Sequence, residues 1–355
     1  MRVLIDGRPL QTPSRFRGIG RYVDHVVRAF AGDDRCAFLF FRGDDVPGGA
    51  GETLLSGSPR RLITLSDSLY LPPLFRRCGA GVYHSTAFAL PRRARGVRLL
   101  LTAYDLTLLK FPGHFPWRQR QVARRIALSA RRADLVLPIS ASTAADLEEL
   151  AGIEPARMRV VYPMLDDRLA PERARKPETP LPAAYLLYAG GADGTKNLET
   201  LLRAVAGLDV PLLIAGPIAA AREAELLAPL ATAARRRVMF LGHVPDGQLA
   251  WLYGHAAAFA FPSLNEGFGF PPLEALRCGA APVVSRAGAL PEVLADAAVF
   301  VEDPLDAGEW AEKITGLLRS SDSRKDLLAR GLRLLDRYSP AAFKNALERA
   351  YVDLG

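Results

Sequence analysis

The stretch "AAFAFPSLNEGFGFPPLEALRCGAAPVVSR", residues 257–286, joins two short apolar runs through a segment with a helical pattern. The runs, Ala257–Ser263 and Ala281–Arg286, have the length and composition of strands buried in a parallel sheet. Between them, Pro271 or Pro272 suits a first helical turn and Gly279 suits its end. The order of strand, helix and strand predicts a βαβ unit, and with it an α/β fold.

The same alternation continues along the chain in both directions. In the first half, the sequence predicts strands at "VLID", "CAFLFF", "RLITL", "GVYHS", "RLLLTAYD" and "ADLVLPIS" and helices over residues 20–30, 69–77, 117–132 and 143–151. In the second half, it predicts strands at "YLLYAGG", "PLLIAGP", "VMFLGHV", "AAFAFPS", "APVVSR" and "AVFVED", with a helix from Asn197, another through 223–234 and three helical patterns at the end. This pattern predicts two doubly wound, Rossmann-like domains whose ligands bind beyond the carboxyl ends of the strands.

A proline- and charge-rich segment, residues 163–182, interrupts the alternation. We therefore predict an N-terminal domain over 1–170, a linker over 171–182, a C-terminal domain over 183–338 and a last helix over 339–355 that could cross back to the N-terminal domain. Two such domains would face each other across a central cleft, and closure about the linker is expected.

The composition excludes several classes of protein. The 355 residues are 49% hydrophobic and 24% charged, which suits a globular protein with a large core. No apolar run reaches the ~18 residues that a membrane span needs, and Met1 is followed directly by a strand-like segment, so we expect a cytoplasmic location. The three cysteines are widely spaced, which predicts buried thiols rather than a disulfide framework or a zinc site.

The net charge of +8 arises in the first half of the chain, and much of it lies in the helical segment Trp117–Arg132. A solvated helix face is one interpretation of these arginines. The other is a surface for an anionic membrane or for an acceptor that carries phosphate. No motif supports nucleic acid as a partner.

Glu266 and Glu274 lie on either side of a glycine- and proline-containing turn that opens the predicted helix of the first stretch. A glycine loop before a helix N-terminus favours an anion such as phosphate, because backbone N–H groups point out of it. Carboxylates that stay ionised accept hydrogen bonds from sugar and ribose hydroxyls. The two features together suit a sugar nucleotide, although Glu274 could equally serve only to stabilise the helix.

The spacing of Glu266 and Glu274 resembles the E-x7-E motif of retaining GT-B glycosyltransferases, and "NEGFGFPPLEAL" resembles its form in glycosyltransferase family 4. The segments "IDGRPLQ", "RGIGRY", "VYHSTAFALP", "DLTLLKFP", "LPISAST", "GTKN", "FLGHVPDGQLAWLY" and "GALPEV" are similar to mannosyltransferase-type members, in the same order along nearly the whole chain. The resemblance implies a GT-B fold and a metal-independent hexosyltransferase without a cofactor.

The resemblance also implies a role for each matching residue. Glu266 would contact hydroxyls of the transferred sugar, Glu274 the ribose, and Lys196 the diphosphate leaving group. As a lone residue, Lys196 could also be a solvated lysine that opens a helix. Positions implied in donor binding are Gly18, Gly20, Gly190, Lys196, Asn197, Val244, Glu266, Gly267, Phe268, Gly269, Phe270 and Glu274.

On the acceptor side, the resemblance implies Arg21 and His84, with Tyr104 and Asp105 near the reacting sugar. His84 could instead be a loop histidine bonded to backbone. Gly18 and Gly20 would let their loop face the diphosphate, or could simply cap a helix.

Two positions depart from the family pattern. Many members have an arginine six residues before the diphosphate lysine, where this chain has Gly190, and Arg286 is a possible substitute. Many also have a histidine where this chain has Tyr104.

We expect transfer of a hexose, with mannose from GDP-mannose the favoured donor, to a hydroxyl of a glycan or lipid-linked glycan, with retention of configuration. In members of this family the leaving phosphate helps to deprotonate the acceptor. The alternatives are an inactive GT-B subunit that binds a nucleotide or partner in polysaccharide assembly, a nucleotide-sugar epimerase and a nicotinamide dehydrogenase. A nicotinamide dehydrogenase would have a G-x-G-x-x-G motif after its first strand, and this chain lacks that motif.

Overall fold

The computed structural model describes residues 1–16, 18–46, 51–57, 63–87, 89–92, 94–115, 117–165 and 167–354. The chain divides into two compact units, one formed by Met1–Met164 with Tyr338–Gly355 and the other by Leu165–Arg337. Each unit is built on a parallel sheet, and the two sheets contain six strands each within the described ranges. The predicted α/β class with two doubly wound sheets is confirmed.

The strand order in the first unit is β3-β2-β1-β4-β5-β6. Strands β1 to β3 follow one another towards one edge and β4 to β6 towards the other, so the strand order reverses between β1 and β4. Its strands are β1 Arg2–Asp6, β2 Cys36–Phe41, β3 Thr53–Ser56, β4 Ala80–Ser85, β5 Arg98–Ala103 and β6 Leu135–Pro138. Its first helices are α1 Gly18–Ala29, α2 Ile63–Cys78, α3 Thr107–Lys110, α4 Trp117–Arg132 and α5 Ala141–Ala151. Every residue of β2 is buried, as expected of a parallel strand covered on both faces, whereas β3 at the edge alternates between exposed and buried residues.

The second unit has the order β12-β11-β10-β7-β8-β9, with its reversal between β7 and β10. Its strands are β7 Leu186–Ala189, β8 Leu212–Ala215, β9 Val238–Gly242, β10 Ala258–Phe261, β11 Pro282–Ser285 and β12 Val299–Val301. Its helices are α6 Leu198–Ala206, α7 Ala220–Leu227, α8 Thr232–Arg235, α9 Asp246–His255, α10 Phe270–Cys278, α11 Leu290–Leu294, α12 Ala307–Arg319 and α13 Ser321–Leu335. The last helix, α14 Pro340–Val352, belongs to the first unit.

The opening stretch folds as its residues indicate. β10 and β11 pair in parallel, and α10 connects them. Gly269, at φ 95°, caps the start of α10, prolines follow in its first turn, and Gly279, at φ 96°, ends it. The left-handed conformation at both ends explains the two glycines, because other residues adopt it at a cost.

Two predicted elements are wrong, and the strand β3 was not predicted. The strand predicted at "RLITL" is wrong: Arg61 and Leu62 lie outside the described residues, while Ile63 begins α2. The single helix predicted through 223–234 is also wrong, because α7 ends at Leu227 and α8 starts at Thr232. Pro229 lies between them, and proline both lacks an N–H group and disfavours helical backbone in the residue before it.

The segment predicted as a linker, 171–182, packs within the second unit. The Arg175 amide donates to the Gly247 carbonyl at 2.8 Å, and a Cβ on Gly247 would lie 2.9 Å from the Arg173 carbonyl oxygen. Just before this segment, Arg277 contacts the carbonyl of Leu165. Leu165 and residues 173–175 are therefore held by packing and hydrogen bonds. Of the helices that the structure describes, none is long and apolar enough to cross a membrane.

Candidate active site

In the second unit, the loops that follow β7 and β10 lie side by side, because these two strands are neighbours at the reversal of the sheet. Such a reversal is where open α/β sheets bind ligands. The loop after β7 ends in Lys196, and the loop after β10 contains Glu266. A hydrogen bond of 2.8 Å from the Leu264 amide to the Thr195 carbonyl joins the two loops.

Lys196 and Glu266 form an ion pair at this point. The distance from Lys196 Nζ to Glu266 Oε1 is 2.6 Å, and the side chains are 24% and 15% exposed. The Nζ atom also lies 6.0 Å from the centre of the Phe261 ring. The structure thus brings together the two charged residues that the motifs single out 70 positions apart.

Local hydrogen bonds fix the position of Lys196. Asp193 accepts from the Thr195 amide at 3.1 Å and so closes the turn before Lys196. Asn197 adopts the left-handed conformation at φ 52°, and its amide donates to the Pro262 and Pro304 carbonyls at 3.1 and 2.7 Å. Asn197 is buried, and we infer that it holds the loop rather than contacting a ligand.

The loop that carries Glu266 is fixed by a glycine of the next strand–helix connection. The Ala289 amide donates to the Glu266 carbonyl at 2.9 Å. Gly288, at φ 55°, faces the Glu266 backbone so closely that a Cβ would come within 2.6 Å of it. On the other side, a Cβ on Gly269 would lie 2.6 Å from Leu290. The "GALPEV" segment therefore supports the Glu266 loop by close packing.

Within this loop, Gly267, Phe268 and Gly269 are buried and Phe270 is half-buried. The rings of Phe268 and Phe270 pack edge to face at 5.0 Å between centroids, which fixes the loop at the N-terminus of α10. Glu274 is only 2% exposed, and its Oε2 accepts from Tyr253 of α9 at 3.3 Å. Sequence reasoning did not identify Tyr253 as a partner of Glu274.

Gly190 follows β7 and cannot be exchanged for a larger residue without movement. A Cβ there would lie 2.9 Å from the Tyr188 hydroxyl, which is held by a hydrogen bond of 2.5 Å to the Gly191 carbonyl. Burial, with a smaller contribution from the Glu266 charge, raises the pKa of Tyr188. The lack of an arginine at position 190 is thus part of the packing around this loop.

Two arginines of the second unit differ in whether they contact the loop that leads to Lys196. Arg222 of α7, which sequence reasoning missed, donates from Nε to the Ala192 carbonyl at 3.1 Å and contacts Glu199 of α6. Arg286 pairs with Glu302 at 2.7 Å and lies over the Phe300 ring at the β12 edge. The structure therefore gives Arg222, not Arg286, a contact with the loop that leads to Lys196.

Val244 follows β9 and is half-buried. It lines a cavity of about 180 Å³ together with β9 and α9 residues and with Pro177, Thr179 and Leu181 of the segment predicted as a linker. Val244, predicted to bind the donor, therefore lies at the wall of this cavity.

The residues predicted on the acceptor side lie in the first unit, and several are buried. His84 is fully buried at the end of β4, with Nδ1 2.9 Å from the Tyr351 hydroxyl and Nε2 2.8 Å from Thr102 Oγ1. Burial lowers the pKa of His84 to about 3. The predicted acceptor role for His84 is not supported, because both ring nitrogens already have hydrogen-bond partners within the first unit.

Tyr104 is 5% exposed, and its hydroxyl donates to the Thr86 carbonyl at 2.8 Å. Burial raises the pKa of Tyr104, so the hydroxyl stays protonated at neutral pH. The neighbouring Asp105 is half-buried and accepts from the Thr107 amide at 3.1 Å, which starts α3. Both residues thus have structural contacts at the carboxyl end of β5.

The glycine-rich segment after β1 opens α1. Gly18 is exposed, Gly20 is buried and Arg21 is half-buried, whereas Arg17 of the same motif lies outside the described residues. A Cβ on Gly20 would lie 2.3 Å from the Cα of Arg15, so close packing alone requires a glycine there.

The reversal of the first sheet, between β1 and β4, is filled by a buried ionic cluster that sequence reasoning missed. Arg8, 1% exposed, donates to both carboxylate oxygens of Asp6 at 2.7 and 2.8 Å and to both of Asp67 at 2.8 Å. Tyr83 donates to Asp6 at 2.9 Å. Burial opposes the charge of Arg8, but the carboxylates outweigh it and raise the pKa of Arg8. In the part of the chain that the structure describes, no cluster of three or more His, Cys, Asp and Glu is placed to hold a metal ion.

Two family profiles divide the chain between them. Residues 16–169 match Glycosyltransferase Family 4, and residues 171–332 match Glycosyl transferases group 1. The chain belongs to glycosyltransferase family 4. It is a family 4 hexosyltransferase, and the enzyme class predicted from its motifs is confirmed.

One relative agrees with this assignment, and two solved structures match the fold. The glycosyltransferase is 30% identical over 276 residues to O-antigen chain mannosyltransferase B from Escherichia coli, which covers 73% of this chain and 70% of the relative. Its fold matches sucrose-phosphate synthase from Thermosynechococcus elongatus with a TM-score of 0.80 at 19% identity, covering 100% and 99% of the two chains. It also matches HepE from Anabaena, solved with UDP-glucose, with a TM-score of 0.72 at 16% identity, covering 99% and 100%. The predicted GT-B fold is confirmed.

Proposed function

We propose that this glycosyltransferase moves mannose from GDP-mannose to a hydroxyl of a glycan or lipid-linked glycan, with retention of configuration and without a metal. The contact between Lys196 and Glu266, at the point where the strand order of the second sheet reverses, carries the proposal. It places a cation for the diphosphate one hydrogen bond away from a carboxylate that can accept hydrogen bonds from sugar hydroxyls. Similarity to an O-antigen chain mannosyltransferase supports mannose as the sugar.

The geometry suggests a division of roles. Lys196 would neutralise the charge that develops on the departing diphosphate, and a cation aimed at such a charge contributes a few kcal/mol to catalysis. Glu266 would accept hydrogen bonds from the sugar, and backbone N–H groups of Gly267–Phe270 at the start of α10 would bind phosphate or sugar oxygens. Glu274 would accept from the ribose, with Tyr253 holding its other side. The leaving phosphate would take the proton of the acceptor hydroxyl.

A specific set of variants tests this proposal. Lys196→Ala should lower kcat by about 100-fold or more with GDP-mannose, since a fixed cation at the leaving group acts mainly in the transition state. A matched control is Lys313→Ala, which removes a lysine from α12 in the same unit and should leave kcat within about twofold. Donor identity is checked first by a thermal-shift screen against GDP, UDP, dTDP and ADP sugars, because a bound ligand raises the melting temperature.

The buried Tyr104 and the glycine at position 190 favour a second candidate, a GT-B subunit that binds a nucleotide or a partner without transfer. If neither the wild type nor Glu266→Ala transfers sugar across a broad panel of donors and acceptors while a partner still binds, that candidate is supported. Transfer by the wild type that Glu266→Ala abolishes would exclude it.

We also propose that the enzyme works at the inner face of a membrane, with α4 as the contact. Ile126, Ala127 and Ala130 of α4 are buried in the core of the first unit, while Trp117 and Leu128 are 66% and 51% exposed. The exposed part of α4 also carries arginines, among them Arg124, Arg125 and Arg131. Exposed apolar side chains beside arginines are what an anionic lipid surface binds.

A further inference from the structure

The Lys196–Glu266 ion pair unites two groups that the proposed function assigns to different halves of the donor. Lys196 is the cation for the diphosphate, and Glu266 is the acceptor for the sugar hydroxyls. In the structure they are joined at 2.6 Å, and neither side chain is more than 24% exposed. A ligand that takes one of them therefore changes the surroundings of the other.

The effect of ligand binding on Glu266 differs between the intact donor and the nucleoside diphosphate. A diphosphate that binds Lys196 draws the cation away from Glu266 and leaves a carboxylate that is only 15% exposed. A partly buried charge that loses its partner is destabilised unless another group replaces that partner. The hydroxyls of a sugar can replace it, because they donate to a carboxylate, whereas a bare diphosphate has no such donor.

We propose that this ion pair makes the donor site selective for the sugar-bearing nucleotide over the free nucleoside diphosphate. The proposal rests on the function proposed above and concerns the same site. Transfer breaks the bond between the anomeric carbon and the phosphate oxygen, forms a bond between that carbon and the acceptor oxygen, and passes the acceptor proton to the leaving phosphate. The sugar then leaves with the acceptor, and Glu266 loses its hydroxyl donors. Glu266 then competes with the diphosphate for Lys196, which favours release of the product.

The positions of both groups make this competition direct. Lys196 is held by the turn at Asp193, and the Glu266 backbone is held by Ala289. The hydrogen bond between Leu264 and Thr195 keeps the two loops at a fixed separation. Because neither loop needs to move for the ion pair to form, the pair can re-form by side-chain rotation alone.

Titration calorimetry with inorganic pyrophosphate, GDP and GDP-mannose tests the proposal. Glu266→Gln keeps the shape of the side chain but removes the charge that competes for Lys196. We expect it to bind pyrophosphate and GDP about fivefold to tenfold tighter than the wild type, since an ion pair that is still partly exposed contributes at or slightly above the upper end found for surface pairs. Its preference for GDP-mannose over GDP should fall by a similar factor.

A double-mutant comparison separates this effect from a general gain in positive charge. In a Lys196→Ala background, Glu266→Gln should no longer increase the affinity for pyrophosphate, because the competition needs the lysine. Glu302→Gln is the matched control, since Glu302 forms a 2.7 Å ion pair with Arg286 in the same unit. It should leave all three affinities unchanged.

Three results would overturn the proposal. They are binding of pyrophosphate and GDP by Glu266→Gln that is no tighter than in the wild type, a gain that persists in the Lys196→Ala background, and no binding of any probe by either protein. The last result would count against the proposed function as well. Tighter binding of pyrophosphate by Glu266→Gln together with no sugar transfer by the wild type would retain the ion-pair competition and reject only the transferase role.

Discussion

Ala295, which follows α11, has a backbone conformation that L-residues rarely adopt. Its φ and ψ are 48° and −114°, and its side chain is exposed. A residue other than glycine held in such a region costs about 1–3 kcal/mol. The amide of Ala295 nevertheless donates to the Pro291 carbonyl at 3.0 Å, so the turn is fixed by its hydrogen bonds.

We predict that Ala295→Gly raises the free energy of unfolding by about 1 kcal/mol, because relief of strain exceeds the entropy that glycine adds to the unfolded chain. Chemical denaturation measures the change. Ala256→Gly is the control: Ala256 has ordinary angles, φ −70° and ψ 137°, and the same replacement there should lower stability by about 0.5–1 kcal/mol. Equal effects at both positions would show that Ala295 is not strained.

At the residue scale, the glycine-rich loop after a strand singled out Glu266 from the residues themselves, whereas only the resemblance to the family pattern singled out Lys196. Neither indicated that the two side chains contact each other, since that contact depends on β7 and β10 being neighbours in the sheet. The buried Arg8 was beyond sequence reasoning for the same reason. Its partner Asp67 lies 59 positions away, and an arginine next to a strand is exposed in most proteins.

At the scale of elements, strands buried on both faces and capped helices could be predicted, because apolar runs and cap residues act locally. Ser140 illustrates this: its hydroxyl accepts from the Thr143 amide at 3.0 Å at the start of α5, the helix predicted over 143–151. The β3 edge strand was missed, since its "TLLS" is short and half exposed. "RLITL" was misassigned because short apolar runs suit strands and helices equally.

We predict that helix α4 binds anionic membranes. In vesicle flotation, we expect recovery of the enzyme with vesicles that contain anionic lipid to exceed recovery with neutral vesicles, and to fall as salt increases. Replacing Arg124 and Arg125 together by Gln should weaken binding to anionic vesicles by about tenfold or more, since each basic residue near such a surface contributes about 1 kcal/mol.

The control for this experiment replaces Arg236 and Arg319 by Gln, because both are exposed arginines of the second unit. That pair changes the net charge by the same amount and should leave flotation unchanged. Equal recovery of the wild type with neutral and anionic vesicles would remove the electrostatic membrane contact. An equal loss for both double variants would assign binding to net charge rather than to α4.

At the scale of the whole molecule, the chain end returns to the first unit and completes its core. Phe343 of α14 packs edge to face on Tyr22 of α1 at 5.4 Å between centroids, and Tyr351 packs on Phe30 at the same distance. The Tyr351 hydroxyl also contacts His84 of β4. The attachment of α14 therefore includes a buried group that can titrate.

Protonation of His84 should make this core sensitive to acid. Burial lowers the pKa of His84 to about 3, whereas an unfolded histidine has a pKa of about 6.5. Between these values the unfolded chain binds a proton that the folded chain does not, so the free energy of unfolding falls as the pH drops from about 6.5 towards about 3. Between about pH 7 and about pH 5 this single group should remove about 2 kcal/mol.

Chemical denaturation at these two pH values measures the effect. His84→Gln can still form hydrogen bonds to Tyr351 and Thr102 but cannot be protonated, so its stability should fall by about 2 kcal/mol less than that of the wild type. His114→Gln, which changes an exposed histidine of the same unit, should keep the pH dependence of the wild type. If wild type and His84→Gln lose equal stability, His84 titrates normally in the fold, and the core that α14 completes must admit water or a charge.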